Sequence, residues 1–248
     1  MVRWCSFCQT FLGETPPLLD YAITHAICER CEARLEAGER LVEQREPVIA
    51  FFRALFDAAR IGDQSTCRAL AERGQREGRD TTAMLVGMLQ PGLESIGRAW
   101  EYGTLSVAEE HRFTAWCQAV LSFLPRPRAP IAPLDLLLFV APGNLHDLGI
   151  RFFERVVTDA GFSCRAIVPE LPLQEIRALI QTHAPRWVGF SCGLPGSVEP
   201  ARRLARELGL ERVMLGGQAF RASPAAWEIN DAHVCVTIDH AIALLSQR

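Results

Sequence analysis

The chain has 248 residues, 49% of them hydrophobic, and a net charge of −3, enough apolar material for one large domain or two modest ones. Acidic and basic residues are interspersed, so no basic stripe marks a nucleic-acid surface, and no run approaches the roughly 18 uncharged apolar residues of a membrane span. Nine cysteines, an odd number, behind an N-terminus without an apolar signal core, point to reduced thiols in the cytoplasm and to metal as the first use for paired ones.

Residues 1–40 are Cys-rich and short of regular periodicity. Cys5-x-x-Cys8 and Cys28-x-x-Cys31, separated by 19 residues, have the two-knuckle spacing of a structural zinc site, in which four thiolates fold a segment too small to build its own core. Trp4, Phe7, Phe11 and Leu12 are candidates to pack around it, and His25 stands three residues before Cys28 as a substitute ligand or an orienting group. A redox-active thiol pair is the alternative. Cys67, Cys117, Cys164, Cys192 and Cys235 fall in predicted helices or strands and read as small apolar filler.

Residues 45–124 are helical in pattern. Val48, Phe51, Phe52, Leu55 and Phe56 recur at helical spacing, with Gly62 as a stop. A more polar helix follows from Asp63. A third runs from Thr81 to Gly103 with a bend expected near Pro91. The fourth starts at Ser106, which forms a capping box with Glu109. Four amphipathic helices with short loops predict a helical bundle. Residues 125–134 are a Pro-rich, extended linker.

From 135 to 248 short apolar runs alternate with helical segments: "LDLLLFVA", "SCRAIVP", "RWVGFS", "RVMLGG" and "AHVCVTI". That alternation predicts an α/β domain with a doubly wound, Rossmann-like or flavodoxin-like parallel sheet. Ligands of such sheets bind at the carboxyl ends of the strands. Asn144, His146 and Gly149 follow the first strand, Ser191 ends the third, and Gly216 and Gly217 end the fourth, so all share one rim. Neither a G-x-G-x-x-G fingerprint nor a phosphate loop is present. An imidazole at that rim is a metal ligand or an acid–base group.

The stretch Asn144-Leu145-His146-Asp147-Leu148-Gly149 resembles the Asp-x-His-x-x-Gly signature of cobalamin-binding domains. The resemblance implies that His146 binds cobalt from below, with Asn144, Asp147 and Gly149 beside it. It also implies that Ser191 and Gly193 occupy the Ser-x-Leu motif and that Gly216-Gly217 bares the backbone for the nucleotide tail. Two residues depart from the family: Asn144 replaces an aspartate, and Gly193 replaces a leucine that appears one place late as Leu194. A ligating imidazole needs a partner on its second nitrogen to fix tautomer and angle, and the Asn144 amide oxygen is the expected acceptor.

Trp100, separated by nine residues from Glu110-His111, resembles the W-x9-EH motif of light-responsive adenosylcobalamin proteins. The likeness implies that Trp100 stacks over an adenosyl group and that Glu110 and His111 meet its polar edge. Those proteins carry a histidine after the tryptophan; here it is Glu101, which removes that upper ligand from a lit state.

The expected function is therefore a cytoplasmic sensory or regulatory protein, a light sensor in which photolysis of adenosylcobalamin alters domain packing, oligomer state or partner binding. The expected partner is another protein or a second copy assembling in a light-dependent way, since no helix-turn-helix is evident to read DNA. Two alternatives stand beside it: a corrinoid methyl-carrier subunit of a methyltransferase system, and a dark sensor of redox state or cobalamin level.

Overall fold

The computed structural model describes residues 1–124, 133–221 and 232–247. Most of the predicted Pro-rich linker lies outside the described residues. The chain divides into two units, Met1–Arg126 and Pro127–Arg248.

In the first unit β1 (Val2–Cys5) pairs antiparallel with β2 (Phe11–Glu14) and parallel with β3 (Ile23–Ala26), and α1 (Glu29–Glu36) follows. The sequence pattern showed none of these elements, because strands of four residues and a helix of eight are too short for periodicity to register. The head is not a separate module. Trp4 is fully buried, and its indole packs so closely on Gly87 that a Cβ there would stand 2.6 Å from it. Gln9 adds a polar tie: its side-chain oxygen accepts the Val48 N–H at 3.1 Å, in the first turn of the next helix.

That helix is α2 (Glu46–Ile61), stopped by Gly62 in the left-handed region at φ +80°. Next come α3 (Gln64–Arg76), capped by Asp63, α4 (Thr81–Met84), capped by Asp80, α5 (Gln90–Glu101) and α6 (Val107–Phe123). The irregularity expected near Pro91 is a π-helical turn at Leu85–Leu89, just ahead of it. Proline has no N–H to continue the α-helical ladder at that point, so a shifted bonding pattern costs little there. Ser106 and Glu109 form the predicted capping box of α6. Phe51, Leu55, Met84, Leu89, Ile96, Phe113 and Trp116 fill the interior. Gly92 admits the Phe113 ring, which a Cβ would meet at 2.6 Å.

The second unit is a five-stranded parallel sheet of order β5-β4-β6-β7-β8. Its strands are β4 (Leu136–Val140), β5 (Cys164–Ile167), β6 (Trp187–Ser191), β7 (Val213–Gly216) and β8 (His233–Cys235). The crossovers are α7 (Leu148–Asp159), α8 (Leu173–His183) and α9 (Val198–Glu207), and α10 (Ile238–Ser246) closes the unit. Side chains alternate across the sheet as the two-residue period requires. Leu137, Phe139, Val188 and Phe190 pack with Ile176 of α8 and Val198, Ala201 and Ala205 of α9. Leu136, Leu138 and Val140 pack with Ile150 and Val157 of α7 and Ala241, Leu244 and Leu245 of α10. Every residue of β4 is buried, whereas the edge strands β5 and β8 are partly open, which is why the central strands read as continuous apolar runs.

Candidate functional site

The strand order reverses between β4 and β6, and such a switch point opens a crevice at the carboxyl ends of the strands. The loop from β4 to α7 and the end of β6 meet there. Asn144 is 3% exposed. Its Nδ2 donates to the Ser191 carbonyl at 2.9 Å, and its Oδ1 accepts the His146 backbone N–H at 3.1 Å. The amide therefore serves the main chain of His146, not the ring as the sequence led us to expect. Nor does Asn144 cap the helix; Asp147 occupies the N-cap position of α7, and its carboxylate pairs with Arg151 at 2.9 Å.

His146 is exposed, and its ring makes no hydrogen bond among the described residues. Leu145 beside it is 93% exposed. Gly149, one residue into α7, has open space where a Cβ would stand. The Ser191 hydroxyl is half-buried and unbonded among the described residues. Gly193 faces Asn144, and a Cβ on it would stand 2.7 Å from Oδ1. Gly216 ends β7, and Gly217, at φ +112°, lies against the main chain of Cys192, so close that a Cβ would stand 2.4 Å from the carbonyl oxygen. Cys192 itself is fully buried in the core, and burial pushes its thiol up to about 12. The sequence did not single out Glu170, whose carboxylate accepts the Gly143 N–H at 2.9 Å and ties the β5–α8 loop to the same rim. Its place just past a strand end was the available signal.

In the first unit, Trp100 lies at the end of α5, 49% exposed, beside Tyr102 at 81%. Glu110 closes the first turn of α6 and His111 opens the second. The Glu110 carboxylate accepts the Thr114 hydroxyl at 2.7 Å and lies 3.5 Å from the His111 Nε2. No hydrogen bond, ion pair or ring contact joins Trp100 to either residue among the described residues.

Cys5, Cys8, Cys28 and Cys31 converge, with their four sulfurs within 4.8 Å of one another. All are free thiols. Cys5 and Cys8 flank the turn after β1, while Cys28 is the N-cap of α1 and Cys31 lies in its first turn. The sulfurs of a tetrahedral zinc site stand roughly 3.8 Å apart for Zn–S bonds near 2.3 Å, and Cys8 and Cys28 are 3.6 Å apart. His25 is outside the cluster; it pairs with Trp4 across β1 and β3, and its Nε2 is buried without a hydrogen-bond partner among the described residues. Burial opposes ionisation of Cys8, but hydrogen bonds from the Thr10 hydroxyl and N–H bring it down to about 6. Burial and the neighbouring thiols push Cys31 up to about 12. Four sulfurs this close cannot all be thiolates without a cation among them, and the soft donor set can hold a metal such as zinc.

Two family models match the chain, both described as a B12 binding domain: one over residues 134–245 and the other over residues 52–124. No curated protein matches. Among solved structures, a monomethylamine corrinoid protein of Methanosarcina barkeri is similar with a TM-score of 0.62 and 17% identity, over 79% of this chain and 96% of that one. A methanol:cobalamin methyltransferase complex from the same organism gives a TM-score of 0.39 and 14% identity, over 90% and 94% of the two chains. A cobalamin-binding protein of Desulfitobacterium hafniense gives 0.38 and 16%, over 79% and 96%. No helix among the described residues is long and apolar enough to cross a membrane.

Proposed function

Because this chain belongs to the family of cobalamin-binding domains, we propose that it is a corrinoid carrier that offers its cofactor to partner enzymes for methyl transfer. The observation behind this reading is His146, an exposed imidazole whose ring makes no hydrogen bond among the described residues, at the switch point of a parallel sheet. Neutral imidazole suits cobalt. Gly149 adds a bare place beside it where a Cβ has nothing to meet, as a large planar ligand resting on the loop requires. His146 would bind the metal, Ser191 would bond the lower face, and Gly216 and Gly217 would lie along the nucleotide tail. A bound corrinoid supplies a metal centre that takes up and releases an alkyl group, and the chain's own task is to hold, orient and shield it. The likeness to a monomethylamine corrinoid protein favours a carrier over a sensor, and a carrier calls for a methyltransferase partner.

A second reading rests on Trp100 with Glu110 and His111. A half-exposed indole and an acid–base pair on neighbouring helices suit a lid over an adenosyl group, and such a lid would make the chain a light sensor of the cytoplasm with light-dependent assembly. The two readings separate in one experiment. Protein loaded in darkness with methylcobalamin or adenosylcobalamin is followed by absorbance and size-exclusion before and after green illumination, and methyl transfer to a thiol acceptor is assayed. Transfer without a change of elution volume supports the carrier; a light-driven change of volume with adenosylcobalamin alone supports the sensor. In either case His146→Ala is expected to shift the bound cofactor to its base-off spectrum and weaken its retention. An unchanged spectrum removes His146 as the lower ligand.

A further inference from the structure

At the rim an amide stands against a bare glycine. The Ser191 carbonyl accepts the Ala141 N–H at 3.1 Å and the Asn144 Nδ2 at 2.9 Å. Val140 and Ser191 are the last aligned residues of β4 and β6, so the Asn144 side chain carries the ladder past the end of its strand. At the same time its Oδ1 holds the His146 N–H. The amide cannot swing away from this place without breaking both bonds, and at 3% exposure water does not readily replace them.

Gly193 leaves the room for it. A Cβ there would stand 2.7 Å from Oδ1 and 3.2 Å from Cγ of Asn144, and these amide atoms are its nearest neighbours. Its φ lies outside the left-handed region, so backbone conformation does not demand glycine. The demand comes from Asn144.

We propose that Asn144 and Gly193 form a latch that sets the His146 loop against the end of β6 before any ligand arrives. Asn144 is thus a positioning residue that acts on His146 through the main chain, leaving the ring without a side-chain acceptor from this position. An aspartate does not fit the same place, because it has no donor for the Ser191 carbonyl and sets one oxygen against another. The consequence for a bound corrinoid rests on the proposed role of His146; the latch itself is a property of the ligand-free chain.

The test is a double-mutant cycle on ligand-free protein, read as the thermal midpoint. Gly193→Ala is expected to lower the midpoint by several degrees in the parent chain, because the added methyl overpacks against the amide, and by clearly less in the Asn144→Ala background, where no amide remains for it to meet. Additive losses in the two backgrounds overturn the latch. If Gly193→Ala does not fold, the double variant is expected to recover folding, and its failure to do so is equally fatal. Asn144→Asp supplies a spectroscopic readout with aquocobalamin: a shift toward the base-off form is expected, whereas a shift toward base-on at an unchanged midpoint shows that a carboxylate reaches the ring and overturns the proposal. Should the parent chain not retain cobalamin at all, the proposed function fails while the melting cycle still decides the latch.

Discussion

Gly217 and Gly149 are glycines for different reasons. Gly217 sits at φ +112°, with a Cβ position 2.4 Å from the Cys192 carbonyl oxygen, and that carbonyl also accepts the Ala219 N–H at 3.1 Å. The chain after β7 is thus laid directly on the chain after β6. Gly217→Ala is expected to cost more than about 2 kcal/mol in urea unfolding, from backbone strain and steric overlap together. Gly149 meets nothing and lies in the first turn of a helix, where alanine outranks glycine by up to about 1 kcal/mol. Gly149→Ala is therefore expected to hold or raise the stability of the ligand-free chain while weakening cobalamin retention. A loss of stability at Gly149, or none at Gly217, contradicts this division.

Among the elements, α6 carries Glu110 at the end of its first turn and His111 directly after it, so its cap bears on both. The Ser106 hydroxyl accepts the Glu109 N–H at 3.3 Å, and the Glu109 carboxylate accepts the Ser106 N–H at 3.0 Å. Ser106→Ala is expected to cost about 1 kcal/mol, measured by thermal unfolding. The Ser106 N–H and hydroxyl hold the Glu109 carboxyl below its ordinary range. A depressed carboxylate contributes stability above its unfolded value and loses it as pH falls, so the gap between parent and variant is expected to narrow in acid. A gap that stays constant down to acid pH separates the hydroxyl from the carboxylate.

At the scale of the molecule, the cysteine cluster and the bundle are parts of one unit. Trp4 adjoins Cys5 of the cluster and presses on Gly87 in the π-helical turn, and Gln9 adjoins Cys8 and bonds α2. Stripping metal with a chelator is expected to loosen the head, expose Trp4 to solvent in fluorescence and lower the melting of the helical unit. Cys5→Ser is expected to mimic it. Acid acts in the same direction, because protons compete for the thiolates. A melting profile indifferent to both chelator and Cys5→Ser shows that the head folds without metal.

The sequence by itself determined the alternating β/α pattern, the stop at Gly62, the cap at Ser106, the cysteine spacing and the rim that carries His146, because each is a local signal written in periodicity, backbone demand or ligand spacing. Only the tertiary structure decided what those residues touch. It turned the Asn144 amide to the Ser191 carbonyl, set Gly193 against it, drew Glu170 to Gly143 and packed Trp4 on Gly87. The physical reason is that these contacts join residues far apart in the chain, and whether a side chain meets a ring, a carbonyl or open space is set by the packing of strands and helices that no single stretch of sequence contains.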